Sequence, residues 1–130
     1  MKKLLISLML AFVSTNVMAG WFPVTDNASY TGYADLSTAH KAGGKAKMWV
    51  LYDFKVALNI RGNQIFSMRE QRWYNCKKEQ SAAIYVTMFN HHMAGGQVVS
   101  TGKVPIEWDP VSPGSIGKDM FDVACGNYDN

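Results

Sequence analysis

At 130 residues the chain is long enough for one compact domain with a core of its own and too short for two. Its formal charge of +3 drops to +1 once Lys2 and Lys3 are set aside with the leader they belong to. A nearly neutral domain argues against a nucleic-acid binder, whose footprint is a strongly basic face.

The first nineteen residues have the form of a secretory leader. Lys2 and Lys3 precede an apolar run from Leu4 to Val13, and Val17-Met18-Ala19 supplies small residues for cleavage. The run is about half the roughly twenty residues that a membrane-spanning helix needs, so no permanent anchor is expected. Cleavage after Ala19 divides the chain into a signal peptide, 1–19, and a single domain, 20–130. Gly20 stands where a lipoprotein has its acylated cysteine, so no lipid anchor is expected either.

Beyond Gly20, turn residues separate segments of strand character. Ser29 to Leu36 carries Tyr30 and Tyr33. Lys45 to Phe54 is rich in aromatic and branched residues, lies between Gly43-Gly44 and the polar stretch from Asn59 to Asn63, and is followed by Gln64 to Cys76. Lys41, Lys45 and Lys47 around the glycine pair read as charges guarding a strand edge. After Lys77-Lys78-Glu79 come Ser81 to Asn90, Gly95-Gly96, and Gln97 to Thr101. Lys103 to Trp108 reads as a last short strand, with Pro105 confining it to an edge or a bulge. From Ser115 to Cys125 the period changes: Ile116, Met120, Val123 and Ala124 recur at helical spacing, with Ser115 as N-cap and Gly126 just past the end. The expected fold is α+β, an antiparallel meander of about five to six strands with one C-terminal helix.

Cys76 and Cys125 are the only cysteines, and an even count in an exported chain implies a bond between them. It would close a loop of about 50 residues, for which chain entropy gives roughly 4 kcal/mol. The helix is thereby stapled to the sheet.

Both faces of that sheet are apolar. In the strand around Ile84 one parity is Ala82, Ile84, Val86 and Met88, which is assigned to the helix-covered core; the other is Ala83, Tyr85, Thr87 and Phe89. The strand around Trp49 likewise has Met48, Val50 and Tyr52 on one side and Trp49 and Leu51 on the other. A helix of about ten residues cannot cover two faces. Four occupants stay open for the second: a curled sheet, the segment with Trp21 and Phe22, a second subunit, or a ligand. Trp49, Leu51, Tyr85 and Phe89 are the candidate partner-binding residues. In Gln64 to Cys76, Glu70 and Arg72 share parity with Phe66, Met68 and Tyr74, which calls for a bulge that flips the faces.

No residue pattern points to catalysis. Ser115 lacks the spacing of a nucleophile elbow and is accounted for as a cap. The carboxylates are scattered, with no facing pair for acid and base work, and there is no phosphate-binding glycine loop. His91 and His92 are weak metal candidates, since neighbours in an extended chain point to opposite sides. His40 stands alone, and Asn27-Ala28-Ser29 is a chance match to a glycosylation acceptor. No catalytic residue, metal or cofactor is expected.

Met48-Trp49-Val50-Leu51-Tyr52-Asp53-Phe54, the stretch from Ser67 to Cys76, Met93 to Val99, the run from Trp108 to Ser115 and finally Cys125 occur in an order that resembles the surface-adhesin protein E family of proteobacteria. The resemblance implies an antiparallel sheet with a disulfide-held helix, a surface or periplasmic location, and adhesion to host cells and matrix proteins, with a homodimer as a further implication. The alternative is a soluble periplasmic structural or carrier protein, self-associating or holding haem or a metal.

Overall fold

The structure is a computed structural model and describes residues 20–126; the leader expected at 1–19 lies outside them. Six strands follow one another across a single antiparallel sheet: β1 (Trp21–Asp26), β2 (Tyr30–Ala42), β3 (Lys45–Ile60), β4 (Asn63–Asn75), β5 (Gln80–Phe89) and β6 (Val98–Lys103). A two-residue strand, β7 (Asp109–Pro110), pairs with the start of β5, and helix α1 (Ile116–Cys125) closes the fold. The α+β meander read from the sequence is the fold observed.

One strand is new and two local readings are corrected. The segment Trp21–Asp26 is an edge strand on β2, tolerated there because Pro23, which has no N–H to donate, sits at a register shift. Lys103 to Trp108 is not a strand. β6 ends at Lys103, Val104 N–H still donates to Ile84 C=O at 2.9 Å, and pairing resumes only at Asp109. The bulge sought in Gln64 to Cys76 lies in β5: Gln71 faces Tyr85 and Arg72 faces Ala83, leaving Ile84 as the extra residue.

That bulge decides which β5 residues share a face. Ser81, Ala83, Val86 and Met88 lie on the helix side of the sheet, and Ala82, Tyr85, Thr87 and Phe89 on the other. The single apolar parity Ala82-Ile84-Val86-Met88 is therefore split. Val86 and Met88 are only half-buried, whereas Ala82, Thr87 and Phe89 are buried on the opposite side.

The main core lies between α1 and the first four strands. Met120, Phe121, Val123, Ala124 and Cys125 pack on Ala34, Ala46, Met48, Val50 and Tyr74, with the Tyr74 and Phe121 rings edge to face at 6.4 Å. Gly32 admits the helix: a Cβ there would meet the Met120 methyl group and the Thr25 side chain. Ser115 caps the helix by accepting from Lys118 N–H at 3.1 Å, and Gly126 ends it in the left-handed conformation at φ 71°. The Cys76–Cys125 disulfide ties the end of β4 to the last turn of α1 across a sequence separation of 49.

Glu70 and Arg72 stay on the helix side with Met68 and Tyr74, charged as they are. Arg72 donates to Glu70 Oε1 at 3.1 Å and to Ser81 Oγ at 3.0 Å, so two charges that parity alone would send to solvent satisfy each other inside. Burial alone would lower the guanidinium's pKa, and the Glu70 carboxylate reverses that to a net rise. Burial raises the pKa of the Tyr74 phenol, whose hydroxyl has no hydrogen-bond partner among the described residues.

Candidate functional site

Strand register lays the second face out in transverse rows, because residues directly opposite each other in adjacent strands project to the same side. One row runs Trp21, Asp35, Trp49, Gln71, Tyr85, Lys103 from β1 to β6. The next runs Pro23, Tyr33, Leu51, Arg69, Thr87, Thr101, and a third Asp26, Thr31, Asp53, Ser67, Phe89, Val98. On the far side of the first, Lys47 faces Trp73 and Trp73 faces Ala82.

The third row is closed by the protein's own chain. After Phe89 the segment from Asn90 to Gln97 folds back over the sheet and is held at four points. Ser67 Oγ donates to His91 C=O at 2.6 Å and accepts from Ala94 N–H at 2.9 Å. Asp53 Oδ1 accepts from Met93 N–H at 2.9 Å and meets His92 Nδ1 at 3.1 Å. The base of the loop is tied by Asn90 N–H to Gln97 C=O and Gln97 N–H to Asn90 Oδ1, at 3.1 and 2.7 Å. Gly96, at φ 71°, permits the turn, since any Cβ would strike the His91 ring and the Asn90 carboxamide.

Trp49 and Tyr85 stay open beside this cover. Their rings meet edge to face at 6.3 Å and 69°. The Arg69 guanidinium lies between two rings, 5.3 Å from the Trp49 centroid and 5.4 Å from that of Phe89. A shallow cleft of about 520 Å³ opens where Trp21, Trp49 and Arg69 approach Met93 and Ala94. Its origin is a bulge in β2: pairing of Asp35 with Trp49 jumps to His40 with Lys47, and Thr38 Oγ1 stands in for the missing ladder by donating to Asp35 C=O and accepting from Trp49 N–H.

The four residues singled out from the sequence thus share a face but differ in access. Trp49 and Tyr85 are half-buried, while Leu51 at 0% and Phe89 at 5% are buried and form the floor. His91 is exposed, and His92 is engaged by Asp53 and by the Phe66 ring at 5.0 Å. Among the described residues no three His, Cys, Asp or Glu side chains are grouped to hold a metal ion. No described helix is long and apolar enough to cross a membrane. Arg69 and Trp73 belong to the same surface and went unmarked in the sequence; the only signal for them was strand parity with Trp49 and Tyr85, which needs the register to be read. Trp21, named from the sequence as a possible cover of this face, lies in its first row.

Residues 21–126 match the protein family described as surface-adhesin protein E. The fold is similar to crystal structures of Haemophilus influenzae protein E. Crystal form II has a TM-score of 0.68 at 15% identity, covering 88% of this chain and 93% of that one. A selenomethionine form has a TM-score of 0.66 at 15% identity, covering 88% and 92%. None of the curated proteins matches this chain in sequence. At that level of identity the structures speak for the fold, and the family match carries the kinship: the chain belongs to the surface-adhesin protein E family.

Proposed function

We propose that this chain is an exported, non-enzymatic binding module whose protein partner docks on the open half of the second sheet face, with Trp49 and Tyr85 as central contacts. The observation that carries the reading is the division of that face. The chain's own loop closes the row of Asp53, Ser67 and Phe89, while the aromatic row beyond Leu51 and Arg69 keeps its ring pair half-buried beside a buried floor. Rings already packed against each other lose little freedom on binding, and Trp, Tyr and Arg are the side chains that dominate protein interfaces.

The family's description as surface adhesins supports a host or matrix protein as the partner. The leader read in residues 1–19 supports release of a domain beginning at Gly20 into the periplasm or the medium. Binding to immobilised matrix proteins tests the first point. Trp49→Ala/Tyr85→Ala should weaken it by about tenfold or more, the range of interface hot spots, with circular dichroism unchanged. Equal binding by the variant would reject the face, and so would a homodimer that the same variant dissolves in light scattering. Cell fractionation tests the second point, since retention in the periplasm rules out direct host adhesion.

A further inference from the structure

The open half of the second face carries three cations without carboxylate partners among the described residues, and we infer that it takes an acidic segment of a protein partner: carboxylates meet Lys47, Arg69 and Lys103, while apolar side chains lie on Trp49, Trp73 and Tyr85. This rests on the reading of that face as the docking surface and adds the chemistry of what docks.

Each cation is placed by the sheet. The Lys47 ammonium stands 5.1 Å from the centroid of Trp73, the residue opposite it in β4. Arg69 lies between Trp49 and Phe89, and Lys103 faces Tyr85 across β5 and β6. Contact with a ring orients a cation without neutralising it. None of the three is in an ion pair among the described residues. The contrast with Arg72, the other half-buried guanidinium, is direct: Arg72 has Glu70 and Ser81, whereas Arg69 has neither, and its buried Nε has no acceptor among the described residues. The carboxylates on the same face are engaged by the chain itself. Asp35 accepts from Ser37 N–H and Oγ, Asp53 from Met93 N–H, and Asp26 pairs with Lys55. Hydrogen bonds from neutral donors leave the Asp35 charge in place, so Lys47, Arg69 and Lys103 set against Asp35 give the open half an excess of positive charge.

Its arrangement favours a polypeptide over a sulfated polysaccharide. Three cations alternate with three rings over a patch about 15 Å across, given strands roughly 4.8 Å apart. A polyanion gains most from contiguous cations and nothing from the apolar area between them. An extended chain alternating acidic and apolar side chains uses both.

The test is fluorescence anisotropy on the purified protein with labelled peptides of about twelve residues that alternate Glu with Tyr or Leu, a Gln counterpart, and a heparin oligosaccharide. The Glu peptide should bind about tenfold tighter than the Gln peptide and weaken severalfold between about 50 and 300 mM NaCl, as exposed charge pairs do. Lys47→Gln/Lys103→Gln should remove most of that advantage while leaving the Gln peptide's affinity unchanged. Both lysines contact solvent, so the variant tests charge and not folding, and Arg69→Gln serves as a second probe with circular dichroism as the fold check. A Glu peptide no tighter than its Gln counterpart, or one indifferent to the lysine variant, overturns the inference. Heparin binding in place of the peptide also overturns it. If both peptides bind equally and Trp49→Ala/Tyr85→Ala abolishes both, the docking face stands and its acidic preference falls.

Discussion

Arg72→Leu would leave the Glu70 carboxylate, 11% exposed at its side chain, facing Val50 and Val86 in neighbouring strands with no cation beside it, and would strip Ser81 Oγ of its donor. Removing one partner of a buried pair costs about 3–5 kcal/mol. Arg72 keeps some solvent contact, which places the expected loss near the lower figure, about 3 kcal/mol. Unfolding entropy of about 2.1 cal/mol/K per residue over roughly 107 ordered residues is about 0.22 kcal/mol/K, so the melting temperature should fall by about 13 °C. The double variant Glu70→Leu/Arg72→Leu should recover to within about 1 kcal/mol of the parent, because the row from Val50 to Val86 becomes continuously apolar. Urea titration of the parent, both single variants and the double completes the cycle, with a coupling energy of about 2 kcal/mol or more expected. Single losses below about 1 kcal/mol, the range of exposed ion pairs, would refute the placement of this pair in the core. A double variant as unstable as the two losses added would refute their mutual compensation.

Reducing the Cys76–Cys125 bond should cost about 4 kcal/mol by the chain-entropy estimate, read as a fall of about 18 °C in a calorimetric melt with and without reductant. Tyr74→Phe should stabilise the protein by about 1 kcal/mol at neutral pH, since the lost hydroxyl is buried without a partner among the described residues. The raised pKa of Tyr74 means that the unfolded chain loses this proton first. Stability is therefore intact below about pH 10 and falls above it by about 1.4 kcal/mol per pH unit for this phenol, a slope that Tyr74→Phe removes in urea melts at alkaline pH. Ser67→Ala deletes two loop contacts and should raise amide exchange at Ala94 by about tenfold without moving the exchange of β3, as local opening is distinct from global unfolding.

The elements most legible in the sequence were those whose signal is local. Ser115 and Gly126 bracket the helix by their own backbone preferences, and Gly43-Gly44 marks a reversal whatever pairs around it. β1 escaped because an edge strand needs no alternation and tolerates Pro23. The faces of β4 and β5 escaped for a different reason. Parity treats a charge as a marker of solvent, whereas Glu70 and Arg72 remain inside because Ser81, on another strand, completes their bonding. A single bulge at Ile84 reverses every assignment on one side of it. Trp49, Leu51, Tyr85 and Phe89 share one face, but their unequal burial depends on how Asn90 to Gln97 returns over the sheet. Lys47 reads locally as an edge guard, and only register places it beside Trp73 and on the same face as Arg69 and Lys103.

The order of the strands has a consequence for how the molecule is made. Each of β2 to β6 pairs with the strand just before it, so the sheet can zip up hairpin by hairpin as chain becomes available. The helix does the reverse: it comes last and returns to strands laid down far earlier, bringing Cys125 to Cys76. Ala34, Met48 and Val50 therefore stay uncovered through the whole of sheet assembly. That interval is when the chain is open to aggregation and to capture by folding factors. Arrival of the final turn of helix both buries the face and brings the two sulfurs within bonding reach, so oxidation records that folding has finished.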